Sequence, residues 1–307
     1  MTELLVRLAL ALLWLLHFLP LSLQTRLARG LGVVLFALGR QRRQIARRNL
    51  ELCFPDRTLA EREALLREHF KLLARSLLER GLLWHASPER LKRLIHVEGD
   101  VGLADRGGRP VMWLVPHFVG LEVAGVAVQL FQKTLGIDIY RQQRSPAFDA
   151  ALKKGRLRFG GGEAFPRTVS IRVLMKRIRE GRAFFNMPDQ DFGPKDSAFV
   201  PFFGVDTCTL LAPSRMARLM NMAVQPVLVS ILPGGQGWRV RFLDPIEDWP
   251  TEDALADTVV LNRLIEQWVL EQPAQYLWVH KRFKTVPPGQ PDRYTGQAPG
   301  PAGPEED

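Results

Sequence analysis

The feature that most constrains this chain begins near residue 111. Short, wholly apolar runs alternate with turns and with segments of helical periodicity. VMWLV at 111–115 follows RGGRP and carries no polar residue at either alternate position, the pattern of a strand covered on both faces. After Pro116 and His117, FVGLEVAGVAVQLF repeats its apolar residues at helical spacing. IDIYR (137–141), AFFNMP (183–188), AVQPVLVSIL (223–232) and WRVRFLDPI (238–246) read as further strands. SIRVLMKRIREG (170–181), ARLMNM (217–222) and DALADTVVLNRLIEQWVLEQ (253–272) read as helices. This order predicts an α/β fold with a mostly parallel central sheet flanked by helices. Upstream, residues 57–96 read as one or two amphipathic helices, opened by a capping box of Thr58 and Glu61.

The first sixty residues have a different character. Nine arginines face Glu3, Glu51 and Asp56, so this fifth of the chain holds +6 of the formal +10. Leu8–Thr25 is an 18-residue run without a formal charge, and a second apolar stretch, 31–38, runs into RQRRQIARR. Two readings stay open: a spanning helix with the arginines on the cytoplasmic side, or short helices split at Pro20 and lying in the interface. No small-x-small motif follows the apolar core, which argues against a cleaved signal peptide. Three segments are expected: an anchoring segment at 1–48, a catalytic domain at 49–284, and a Pro/Gly-rich strap with a disordered tail at 285–307. Cys53 and Cys208 are too few for a disulfide framework and read as reduced residues.

His117 and Glu122 carry the chemical suggestion. His117 would stand at the C-terminal edge of a strand, where open α/β sheets place their sites. Glu122, in the first turn of the next helix, could turn back to the imidazole and fix its tautomer. The other ring nitrogen would then take a proton from an alcohol attacking a carbonyl. Asp189 reads equally as a turn cap, and Arg141 and Arg158 as solvated charges. The glycines at 160–162 match no phosphate-binding loop. FVPFFG (199–204) fits either the lining of a channel for a fatty chain or ordinary core.

The blocks IARRNLELCFP (45–55), PHFVGLE (116–122) and YRQQRSPAFDAALKKGRLRFGG (140–161) occur in that order. MPDQDFGPKDSAFVPFFG (187–204) and PAQYLWVHKRFKT (273–285) follow them. Together they resemble the late acyltransferases of lipid A biosynthesis, the lauroyl/myristoyl transferases of the lysophospholipid acyltransferase superfamily. The resemblance covers nearly the whole chain, and Glu122, where the glycerolipid branch has Asp, favours the lipid A branch. It implies His117 as general base, with Glu122 orienting it and balancing its charge. It implies Asp189 and Arg158 as site-organising residues, with neighbouring Arg156 and Arg141 as further substrate contacts. The implied donor is acyl carrier protein and the implied acceptor a lipid A precursor, Kdo-modified lipid IV-A. The implied location is the inner membrane, with the active site on the cytoplasmic side and no metal or organic cofactor.

Two alternatives remain at this level. One is the same chemistry on a glycerolipid, an aminolipid or a glycosylated phosphoinositide; the other is a non-catalytic basic protein of an anionic membrane surface. A nucleic-acid partner is disfavoured, because the arginines adjoin apolar sequence and no binding motif with interleaved aromatics appears.

Overall fold

The computed structural model describes residues 3–160 and 162–297. Two N-terminal helices, α1 (Glu3–Leu16) and α2 (Leu21–Leu38), are separated at Pro20. The uncharged run Leu8–Thr25 is therefore not one spanning helix: proline ends the continuity of its backbone bonds. Among the described residues, the helix long and apolar enough to cross a membrane is α2 itself. Its buried face (Leu21, Gln24, Thr25, Ala28, Gly32) packs on α4 (Leu59–His85). At Gly32 a Cβ would lie 2.6 Å from the Lys71 Cα, so glycine is what permits this approach. α3 (Arg40–Cys53) buries Ile45, Ala46, Asn49, Leu50 and Cys53. The Thr58–Glu61 capping box opens α4 as expected, and α5 (Pro88–Leu94) leads into the sheet.

The seven-stranded sheet has the order β1-β9-β8-β2-β5-β3-β4. Its strands are β1 (Ile95–Gly99), β2 (Val111–Leu114), β3 (Gly136–Tyr140), β4 (Glu163–Pro166), β5 (Ala183–Asn186), β8 (Ala223–Ile231) and β9 (Trp238–Phe242). β8, β2, β5, β3 and β4 run parallel, while β9 is antiparallel to β8 and carries β1 parallel to itself at the edge. The continuous apolar run of β2 is explained by cores on both sides. Val111 and Trp113 join the core that contains α6 (Leu121–Phe131), and Met112 and Leu114 join the one built on α8 (Ile171–Arg179), α9 (Ala212–Leu219) and α10 (Ala254–Glu271). α7 (Pro146–Arg156) precedes β4.

Outside the sheet, β6 (Ser197–Phe202) and β7 (Val205–Leu210) form an antiparallel hairpin. Its two-residue turn is Phe203–Gly204, both at positive φ (50° and 72°), the geometry of a type I′ hairpin. FVPFFG is thus strand and turn, with Phe202 in the core. In the C-terminal segment, Tyr294 Oη donates to Asn49 Oδ1 (2.6 Å) and Arg48 Nε donates to the Arg293 carbonyl (2.8 Å), so these residues lie on α3. The expected disordered tail falls partly on 298–307, outside the described residues.

Candidate active site

β2 and β5 are adjacent, with Leu114 paired to Asn186. Three residues beyond each partner come His117 and Asp189, so the parallel register delivers both to the same sheet edge. Asp189 accepts the Nδ1–H of His117 at 2.7 Å and its backbone N–H at 2.9 and 3.1 Å. The carboxylate is 1% exposed. Burial alone would raise its pKa, but the facing His117 and the hydrogen bonds from its ring and backbone N–H hold it below the ordinary carboxylate value. An ionised Asp189 fixes the proton on Nδ1 and leaves Nε2 as the free, basic nitrogen.

The His117 loop is clamped from a segment far away in sequence. The His117 carbonyl accepts from Leu277 N (2.9 Å), and Val119 N donates to the Gln275 carbonyl (2.8 Å). Tyr276, between them, is buried, and burial together with the Asp189 charge pushes its phenol well above its ordinary pKa. In the same block, burial foremost brings His280 down to about 4. Asp191, two residues past Asp189, accepts Thr285 N (2.6 Å) and Thr285 Oγ1 (2.8 Å), which ties the loop to the C-terminal segment.

His117 opens onto a cavity of about 350 Å³. Its walls include Ile139, Leu174, Phe184, Met187 and Met216, with the amides of Asn186 and Gln190 as neutral polar groups. That volume falls within the range of small-molecule and lipid-chain sites. A second cavity, on the α6 side of the sheet, measures about 60 Å³ and has room for a few waters only.

Glu122 belongs to that second cavity and does not orient His117. Its carboxylate takes two hydrogen bonds from Arg156, Nε at 3.0 Å and Nη2 at 2.5 Å, and Arg80 approaches to 3.9 Å. Burial would raise Glu122, but Arg156 and Arg80 hold it down to about 2. Arg156 also faces Asp138 at 3.6 Å, and burial pushes that carboxyl up to about 6. The expected Glu122–His117 pair fails because Glu122, at the second position of α6, faces the end of α7. The same geometry places Arg156 against Glu122 and Asp138, apart from the His117 cavity. Arg158 is likewise corrected: it donates to the Leu83 and Ala86 carbonyls (2.9 and 2.5 Å), closing the end of α4. Arg141 stands exposed just past β3, on the same sheet edge as His117. Arg167, Asn186, Tyr276 and His280 were not singled out in the sequence; the signal for the last two was the PAQYLWVHKRFKT block itself.

Among the described residues no group of three or more His, Cys, Asp or Glu could hold a metal ion. A base held by a buried carboxylate and facing an apolar cavity is suited to activating a hydroxyl beside a fatty chain. A family profile described as "Bacterial lipid A biosynthesis acyltransferase" matches residues 1–285. The chain is 32% identical to a lipid A biosynthesis lauroyltransferase of Escherichia coli K12, over 94% of each chain. It is 32% identical to the palmitoleoyltransferase of the same organism, covering 93% of this chain and 92% of the relative. With the myristoyltransferase of that strain it shares 29% identity over 84% and 80% of the two chains. The chain belongs to the bacterial lipid A biosynthesis acyltransferase family.

Proposed function

We propose that this protein transfers a fatty acyl group from the thioester of acyl carrier protein to a hydroxyl of a lipid A precursor, Kdo-modified lipid IV-A. The observation that carries the reading is His117, held by Asp189 and opening on the 350 Å³ apolar cavity. Nε2 of His117 takes the hydroxyl proton as the acceptor oxygen attacks the thioester carbon. The tetrahedral intermediate then collapses, the C–S bond breaks, and the proton passes from His117 to the departing thiolate. The products are an ester and a free thiol. Asp189 keeps the imidazole in the productive tautomer and balances the imidazolium formed on the way.

The reaction would run at the cytoplasmic face of the inner membrane. Leu4, Leu8, Leu12, Leu15 and Phe18 of the N-terminal segment are all half-exposed or more, although large apolar side chains. This apolar surface, together with the arginines of α3, suits an anionic bilayer. The other family assignments, to a glycerolipid, an aminolipid or a glycosylated phosphoinositide acceptor, lose ground to the family match. Incubation of purified protein with labelled acyl carrier protein and a panel of acceptors is the test. Label appearing in the lipid A precursor supports the reading; label confined to another lipid, or none, overturns it.

A further inference from the structure

We propose that Arg141 and Arg167 form a phosphate-binding subsite at the rim of the His117 cavity. Tyr140 of β3 pairs with Pro166 of β4, and the two arginines are the first residues past the ends of those strands. Parallel neighbours at matching positions lie about 5 Å apart along the sheet edge. Neither guanidinium has a carboxylate partner among the described ion pairs, whereas Arg156, Arg177, Arg215 and Arg218 all do.

Arg167 lines the cavity that contains His117 and is the one permanently charged side chain in that lining. Its guanidinium stacks 4.6 Å from the ring centroid of Phe192, which fixes the donor fan at the cavity mouth. Phe192 lies on the same loop as Asp189. Partial burial, and then the charge of Arg141, lower the pKa of Arg167. Two like charges side by side and unneutralised are what an anion completes. Arginine's planar donors suit phosphate oxygens in particular.

The ligand class is a phosphate mono- or diester. It has two sources in the proposed reaction: the phosphate of the carrier's prosthetic arm, or a phosphate on the lipid acceptor. The choice between them rests on the proposed function; the existence of the subsite does not.

The experiment uses the full chain and the variants Arg167→Met, Arg141→Met and Arg167→Lys. Methionine keeps an apolar stem over Phe192, and both positions are exposed, so folding is expected to survive and is checked by thermal unfolding. Binding of inorganic pyrophosphate is measured by calorimetry at low ionic strength. Each methionine variant is expected to bind it roughly ten- to a hundredfold more weakly, the scale of lost hydrogen bonds to a charged group. Arg167→Lys should recover part of the loss.

In the kinetic arm, KM is measured for carrier-bound donor against a pantetheine thioester lacking the phosphate, and for phosphorylated against dephosphorylated acceptor. KM should rise for one phosphate-bearing substrate and not for its phosphate-free counterpart, with kcat little changed, and the pair affected names the source. Pyrophosphate binding equal in wild type and variants would overturn the subsite, as would a KM rise identical with and without phosphate. A wild type that binds pyrophosphate through Arg167 yet transfers no acyl group would uphold the subsite and sink the proposed function.

Discussion

Replacing Asp189 with asparagine tests the least expected part of the site. The buried carboxylate receives both the Nδ1–H and the backbone N–H of His117. Asparagine keeps one oxygen for the backbone N–H, so the loop should hold its place. Its amide N–H₂ then competes for the position facing Nδ1, which favours the tautomer protonated on Nε2. That tautomer cannot accept a proton from the hydroxyl. The charge balance for the imidazolium is lost as well. Together these effects should lower kcat by about 10³–10⁴-fold with little change in KM, the scale found when a carboxylate–histidine–hydroxyl system loses its carboxylate. The assay is single-turnover transfer of labelled acyl groups, with thermal unfolding as the control. A folded Asp189→Asn protein within about tenfold of wild type would refute the role given to this contact.

Three further outcomes follow from the geometry. Glu122→Gln leaves the partly exposed Arg156 beside a single carboxylate and should cost about 1–3 kcal/mol of stability, partly recovered by adding Arg156→Gln; an unchanged unfolding midpoint would contradict this. Asp138 lies above its ordinary 3.8, at about 6, so its folded form holds a proton that the unfolded chain has lost: stability should fall as pH rises from about 4 to 6, by on the order of 3 kcal/mol, and Asp138→Asn should remove that slope in denaturant titrations at pH 4.5 and 7.5. Changing Leu8, Leu12, Leu15 and Phe18 together to glutamine should shift the protein from vesicles to solution in flotation assays, each fully buried side chain contributing about 1.5–3 kcal/mol of partition energy, while the fold survives because all four are exposed; undiminished flotation would count against this surface as the anchor.

Substituting exposed side chains spares a core that deletion of the N-terminal segment would breach. Deleting the N-terminal segment outright would look harmless from sequence, because the apolar run reads as an appendage. In the structure Val6, Leu21, Ala28 and Ala46 are buried, so truncation would open the core. The strand carrying His117 was legible because VMWLV is apolar at every position, and its two-sided burial bears that reading out. The partner of His117 was not legible. Asp189 lies 72 residues away, and only the Leu114–Asn186 register brings the two together. Sequence proximity favoured Glu122, but a helix rotates its first turn away from the loop before it. Arg158 misled for a similar reason: it sits in an arginine-rich block, yet its side chain is spent on two α4 carbonyls. The β6–β7 hairpin was hidden because its turn is Phe203–Gly204, with an aromatic residue at positive φ where Asn or Asp would have signalled the bend.

Removal of the acceptor proton by Nε2 of His117 is the step on which the proposed reaction turns. The most direct measurement is the single-turnover rate of acyl transfer from labelled acyl carrier protein to lipid A precursor by His117→Ala. His117 is not part of the apolar cores, so the variant should fold and remain membrane-associated. Its rate should fall by about 10²–10⁴-fold. A folded His117→Ala protein that transfers acyl groups at close to the wild-type rate would contradict the account.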